Sequence, residues 1–132
     1  MHRTPTRSLA AVAALTVVSG LVAAASPASA NDDDRVRRGS CSGSTDWKVK
    51  VGPEDGRLEV EGEVDSNRSG QTWRWRLSHN GSVSDRGTRA TDGRSGSFEV
   101  RRISVDLRGT DTFVLRAVNA RTGEVCRGTV NY

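Results

Sequence analysis

The sequence contains few of the residues on which most catalytic and metal sites depend. Among 132 residues there are two histidines, two cysteines and one methionine, and aromatic residues make up 5%. His2 lies near the N-terminus, which leaves His79 as the one histidine of residues 31–132. One histidine cannot complete a standard zinc site, and neither a Gly-x-Ser-x-Gly motif nor a glycine-rich phosphate loop occurs. We therefore expect no catalytic residues, no cofactor and no metal ion.

Long apolar runs are also missing, except near the N-terminus. An apolar stretch over residues 9–25 follows two arginines and precedes Ala28-Ser29-Ala30, a site of the small-x-small type that signal peptidase cleaves. The stretch is short and alanine-rich for a membrane span, and acidic residues follow it. We predict that residues 1–30 are a signal peptide cleaved after Ala30. The mature protein would then be secreted and would contain no membrane span.

Neither sign of charge is in large excess. The net charge of +4 falls to +2 without residues 1–30, because that segment holds two arginines and no acidic residue. In the remaining chain, arginine alternates with aspartate and glutamate, whereas nucleic-acid-binding proteins usually concentrate positive charge on one face. We therefore expect no nucleic-acid partner.

Cys41 and Cys126 are the only cysteines. A reactive thiol and a metal site are alternatives, but two cysteines in an exported chain favour a disulfide. The bridge would enclose nearly the whole domain and contribute about 4–5 kcal/mol in the chain-entropy model. Because large apolar residues are scarce, we expect the small core to need this covalent support.

Residues 31–40 are mostly charged and end in Gly39-Ser40, which predicts a flexible leader before a single domain over residues 41–132. Within that domain apolar residues recur with a period of two, the spacing of half-buried β-strands, and no segment has a helical period. The stretch around residues 113–118 is apolar at both parities, which predicts a central strand. The large residues expected in the core are Trp47, Trp73, Trp75, Phe98 and Phe113.

Turn-forming residues predict a first hairpin around Gly52–Gly56. This turn would place Lys50 opposite Glu59 and Lys48 opposite Glu61, and both pairs would be favourable.

Asn80-Gly81 predicts a second hairpin, with Arg76 opposite Asp85. A polar connection is expected from Gly87 to Gly96. At Arg101-Arg102 the parity of the apolar residues changes, which suggests a β-bulge or a strand break.

Two stretches resemble the immunoglobulin and fibronectin type III superfold. One is Trp73-Arg74-Trp75, on a strand that leads into a hairpin. The other runs from Leu107 to Asn119, with Phe113 where an aromatic residue, usually tyrosine, is expected. The resemblance implies an all-β fold, an antiparallel immunoglobulin-like β-sandwich of about seven strands. The chain also looks like the small exported β-proteins of bacteria, and neither resemblance assigns an activity.

The residues that could bind a ligand are arginines. Alternation places Trp73 and Trp75 on one face of their strand and the neighbouring arginines on the other, so we expect the tryptophans inside. The candidate ligand surface consists of Arg74, Arg76, Arg89 and Arg94. The partner would be an extracellular protein, a glycan or a small molecule of unknown identity.

These observations favour a secreted, non-catalytic binding or interaction module. One alternative is a small nuclease-type hydrolase, in which His79 would act with Glu63 or Glu99 and with Arg74 or Arg76. Others are a protease inhibitor, for which no braced loop is apparent, and a small-molecule carrier, which would need an open apolar cleft. His79, in the Asn-Gly hairpin, is interpreted as a solvated turn residue.

Overall fold

The computed structural model of the protein describes residues 32–132. The predicted signal peptide and its cleavage site lie outside this range. The described chain consists of eight β-strands without a helix: β1 (Arg35–Ser40), β2 (Asp46–Glu54), β3 (Arg57–Asp65), β4 (Thr72–His79), β5 (Ser82–Ala90), β6 (Ser97–Ser104), β7 (Thr112–Asn119) and β8 (Val125–Asn131). Within these residues there is accordingly no helix of a length and apolarity that could span a membrane.

The strands form two four-stranded sheets in which every pairing is antiparallel. The first sheet has the order β1-β2-β3-β6 and the second the order β5-β4-β7-β8. Side chains from both sheets meet in one hydrophobic core, because one parity of β2, β3, β4, β6, β7 and β8 is largely apolar. The predicted all-β antiparallel class is confirmed, with eight strands where the sequence suggested about seven.

The predicted leader is partly wrong, since residues 35–40 form strand β1. β1 pairs with β2 from Arg35 opposite Val51 to Ser40 opposite Asp46. Most of its side chains are exposed, so the backbone hydrogen bonds to β2 hold it in place. Composition could not reveal this strand because an edge strand can be highly charged and still pair.

The first hairpin has a different register from the predicted one. The turn is the two-residue Asp55-Gly56, whose φ angles of 48° and 74° suit a type I′ turn. β2 therefore continues through residues 52–54, and Pro53 is tolerated because it lies beyond the end of β1. The register places Lys50 opposite Glu61.

Lys48 likewise lies opposite Glu63 instead of Glu61. For both lysines the observed partner is two residues further along β3 than the predicted one. The ion-pair distances are 2.7 Å for Lys48–Glu63 and 3.0 Å for Lys50–Glu61. The charge complementarity thus survives the change of register.

The Asn80-Gly81 hairpin is confirmed, with φ angles of 48° and 86° in the turn. However, a register shift between Leu77 and Ser78 places Arg76 opposite Arg86, and the predicted pair of Arg76 with Asp85 is wrong. Strand β5 also extends to Ala90, so the predicted connection from Gly87 to Gly96 is reduced to residues 91–96.

Strand β6 pairs with β3 in continuous register from Ser97 to Ser104, so the bulge predicted at Arg101-Arg102 is wrong. The apolar residues after this point do not turn inward. Ile103, Val105 and Leu107 are 44%, 50% and 47% exposed.

The predicted core is largely confirmed. Trp73, Trp75, Phe98 and Phe113 are buried, whereas Trp47 is half-buried and packs against the same cluster. β7 lies between β4 and β8, as expected of a central strand, although Val114 and Val118 on its outer side are only half-buried.

The predicted disulfide is confirmed. Cys41 and Cys126 are bonded at an S–S distance of 2.01 Å, and no free cysteine occurs among residues 32–132. Cys41 directly follows β1, and Cys126 lies in β8, so the bond joins the two sheets at one side of the core.

Candidate functional site

The outer side of the second sheet carries a group of arginines. In β4 the buried Trp73, Trp75 and Leu77 alternate with exposed Arg74 and Arg76, which therefore point away from the core. The same alternation in the neighbouring strands puts one arginine of each on this side. We call the resulting surface the arginine face; it comprises Arg74, Arg76, Arg86, Arg116 and Arg127.

The strand register aligns four of these residues. Arg76 lies directly opposite Arg86 of β5 on one side and opposite Arg116 of β7 on the other. Arg116 in turn lies opposite Arg127 of β8. Neighbouring strands are about 4.8 Å apart, so the row crosses the whole sheet over about 14 Å. Arg74, two residues from the row along β4, adds a fifth charge.

No acidic residue shares this side of the described sheet. The other side chains on this side are Thr72, Ser78, Val83, Thr88, Ala90, Thr112, Val114, Val118, Val125, Thr129 and Asn131. None of the five arginines takes part in an ion pair with a residue of the range 32–132. Like charges directly opposite each other in a sheet are destabilising. The fold therefore tolerates an unfavourable arrangement at this surface.

The outer side of the first sheet is different, because three of its cations are paired with glutamates. Arg101 lies 2.5 Å from Glu61, and Glu61 also forms an ion pair with Lys50. Lys48 forms an ion pair with Glu63. The charges that are interspersed in the sequence thus separate in space. This corrects the expectation that positive charge is not concentrated on one face.

The arginine face contains a shallow depression of about 410 Å³. Arg74, Arg76, Arg86 and Arg116 line it, together with part of Trp75. The indole nitrogen of Trp75 is buried and has no hydrogen-bond partner in the described chain. Val83 and Val118 also line the depression, so guanidinium groups surround a floor that is largely apolar.

Of the four arginines proposed from the sequence, the structure places two on the arginine face and two elsewhere. Arg74 and Arg76 belong to the arginine face. Arg89 lies opposite Trp73 and so has the other parity, and Arg94 lies in the loop over residues 91–96.

Two members of the face, Arg116 and Arg127, were not predicted. The alternation in Leu115-Arg116-Ala117 and in Cys126-Arg127-Gly128 marks both as outward-facing in β7 and β8. Their alignment depends on the register of four strands, which the sequence did not reveal.

His79 is not a solvated turn residue, and that interpretation is wrong. Its side chain is 11% exposed, and its ring stacks on Phe113 at a centroid distance of 4.3 Å. Nε2 lies 2.5 Å from Oδ1 of Asp111, and Nδ1 lies 3.1 Å from Oγ of Ser104. We call Ser104, His79 and Asp111 the His79 cluster. It connects the end of β4, the end of β6 and the segment before β7.

Asp111 is fully buried and accepts further hydrogen bonds from the backbone N–H of Leu107 and from the side-chain amide of Asn80. Burial raises the pKa of this carboxyl, but the hydrogen bonds from His79 and Leu107 outweigh it and hold the pKa below its usual value. Asp111 thus favours its ionised form.

The residues suggested for a nuclease do not come together. Glu63 pairs with Lys48, and Glu99 lies 3.6 Å from Arg101, both on the outer side of the first sheet. Arg74 and Arg76 are on the outer side of the second sheet, and His79 is bonded to Asp111. Among residues 32–132 there is also no group of three or more histidine, cysteine or acidic residues that could hold a metal ion.

Comparison of the chain with protein-family models, with curated proteins and with solved structures gives no match. The function must therefore be inferred from the geometry of the site.

Proposed function

We propose that the protein is a secreted, non-catalytic binding module and that its arginine face holds an anionic ligand. The observation that carries this proposal is the row of four arginines across four strands, with a fifth beside it and no carboxylate on the same side. Guanidinium groups form paired hydrogen bonds with phosphate, sulfate and carboxylate groups. A bound anion would also relieve the repulsion between neighbouring arginines.

Secretion is part of the proposal. It rests on the apolar stretch and small-residue site in residues 1–30. The Cys41–Cys126 disulfide is compatible with an extracellular location, since such bonds persist in oxidising compartments.

We also propose that the fold is of the immunoglobulin and fibronectin type III kind. The order β5-β4-β7-β8 of the second sheet follows the C′-C-F-G order of such domains, and β2-β3-β6 of the first sheet corresponds to their A-B-E order. β1 would then be an additional edge strand. In such domains a sheet face is available for binding, and the arginine face occupies the C′CFG sheet.

Ion-exchange chromatography with matched variants tests the binding proposal. Arg76→Gln combined with Arg116→Gln removes two charges from the centre of the row. Arg57→Gln combined with Arg108→Gln removes two exposed arginines elsewhere, so both variants have the same net charge. On a phosphate-bearing matrix we expect the first variant to elute at clearly lower salt than the second. Equal elution would show that only net charge matters and would contradict a dedicated face.

The His79 cluster supports a second candidate, a hydrolase. Serine, histidine and aspartate joined by hydrogen bonds are the groups of an acyl-transfer triad, although here Nδ1 contacts the serine and Nε2 the aspartate, the reverse of the serine-protease arrangement. A fluorophosphonate probe tests this candidate. Covalent labelling that is lost in Ser104→Ala and in His79→Gln would favour a hydrolase, and the absence of labelling in the folded protein would exclude it.

Protease inhibition is supported less well. The loop over residues 41–45 is braced after all, by the disulfide and by Glu124, which accepts hydrogen bonds from the backbone N–H groups of Gly43 and Thr45. Its exposed residues are Ser42, Gly43 and Ser44. They offer no large side chain to fill a protease pocket, so the arginine face carries the stronger proposal.

A further inference from the structure

We propose that the anion is a linear phosphate chain, with its charges in the backbone of the polymer, and that it crosses the sheet along the row Arg86–Arg76–Arg116–Arg127. This inference rests on the anion-binding function proposed above and names the class of ligand. It follows from the shape of the row, from its neighbours and from its open ends.

The four arginines of the row lie in a line across the sheet. Its four residues lie on consecutive strands, so the guanidinium groups follow one line perpendicular to the strands. A single phosphate can contact only one or two guanidinium groups, because the row is about 14 Å long. A chain with regularly repeated charges can contact all four at once, and the gain grows with each further contact.

The neighbours of the row carry no negative charge. Along the strands the row is flanked by Arg74, Thr88, Val118 and Val125 on one side and by Val83, Ser78, Val114 and Thr129 on the other. There is no carboxylate to bind sugar hydroxyls and no exposed aromatic ring on this side of the described sheet. Proteins that bind single-stranded nucleic acid usually stack bases on such rings. Duplex readers insert a helix or a ribbon into a groove, and this surface is a regular sheet.

Both ends of the row are open. Arg86 lies on β5 and Arg127 on β8, which are the two edge strands of the sheet, and both residues are exposed. A long chain can therefore enter at one edge and leave at the other without being cut or threaded. Arg116, one of the two inner residues, is half-buried, whereas the other three residues of the row are exposed.

Titrations with defined anions test this inference. The probes are inorganic phosphate, tripolyphosphate, long-chain polyphosphate, oligo(dT) and dextran sulfate, compared at equal concentration of charge. We expect binding to strengthen from phosphate to long-chain polyphosphate. The logarithm of the affinity should fall with the logarithm of the salt concentration with a slope of about −3, because about four contacts each contribute about −0.7 in a single-chain polyanion.

Single substitutions test where the polyphosphate lies on the sheet. Arg76→Gln and Arg116→Gln should each reduce the affinity for long-chain polyphosphate about three- to tenfold and make the salt slope shallower by roughly one contact. Arg57→Gln, at the first hairpin, should leave both unchanged. No variant should have a thermal midpoint below that of the wild type, which would exclude unfolding as the cause.

The outcomes separate the two proposals. Binding of inorganic phosphate as tight as that of the polymer would overturn the linear-chain inference while leaving an anion site in place. Tighter binding of oligo(dT) or of dextran sulfate would overturn the phosphate-chain class in favour of nucleic acid or of a sulfated polymer. If no anion binds, or if the Arg57→Gln control weakens binding equally, the arginine face itself is not the binding site.

Discussion

At the scale of single residues, His79 shows how one side chain can hold three segments together. Each ring nitrogen has a partner, Asp111 and Ser104, and the ring face rests on Phe113. A polar ring can be buried here because its hydrogen-bonding groups are satisfied.

We expect His79→Phe to destabilise the protein by about 2–3 kcal/mol. The substitution preserves the stacking on Phe113 but leaves Asp111 buried without its main partner, and an uncompensated buried group costs more than a lost hydrogen bond. Urea unfolding measures the effect, with Asn131→Ala as an exposed control. A loss below about 0.5 kcal/mol would mean that the His79 cluster does not stabilise the fold.

Asp111 should make the free energy of unfolding decrease as the pH becomes acidic. Because the pKa of Asp111 is lower in the folded protein than in the unfolded chain, its contribution is fully present above the unfolded pKa. It is lost as the pH falls through the folded pKa. Between about pH 5 and pH 2, Asp111→Asn should therefore lose stability less steeply than the wild type. The exposed Asp106→Asn is the matched control, and parallel curves for all three proteins would contradict the assignment.

At the scale of elements, the arginine face arises from a combination of alternation and register. Strands β4, β7 and β8 present arginines outward because their other side is in the core, and Arg86 of the edge strand β5 is aligned by its register with β4. The β-bulge between Leu77 and Ser78 then decides which residue of β5 meets Arg76. Without it Asp85 would come closer to that position, as the sequence suggested. Instead Asp85 pairs with Arg102 of the first sheet.

Arg116→Thr should stabilise the fold while weakening anion binding. It removes one of the two residues that have a like charge opposite them on both sides, here Arg76 and Arg127, and it introduces a residue with good strand propensity. We expect a gain of about 0.5 kcal/mol at low salt that shrinks as salt screens the repulsion. Thermal unfolding at two salt concentrations measures it. A destabilised variant at low salt would show that the row is not under electrostatic strain.

At the scale of the whole molecule, the two sheets are joined at both sides of the core. On one side the Cys41–Cys126 disulfide connects the segment after β1 to β8. On the other side, Arg102 of β6 pairs with Asp85 of β5, and its guanidinium carbon lies 5.2 Å from the centre of the Trp75 ring. One link is covalent and the other is electrostatic and largely exposed.

The two links should differ greatly in their contribution to stability. Replacing both cysteines by serine should destabilise the protein by about 2–5 kcal/mol, because 85 residues separate the bridged positions and the unfolded chain gains freedom. Arg102→Gln should cost no more than about 1 kcal/mol, as is usual for exposed ion pairs. Guanidinium unfolding compares the two variants under the same conditions. A disulfide variant as stable as the wild type would show that packing alone holds the sheets together.

The sequence by itself determined the class of fold, most of the buried residues, the disulfide and the Asn80-Gly81 hairpin. These features depend on local alternation, on turn residues or on the only two cysteines in the chain. The tertiary structure decided the pairing of Lys50 with Glu61, the burial of His79 and the alignment of Arg76 with Arg86, Arg116 and Arg127. The physical reason is that a strand register depends on turn length, on bulges and on partners far away in the chain. A shift of one or two residues, invisible in composition, determines which charges meet.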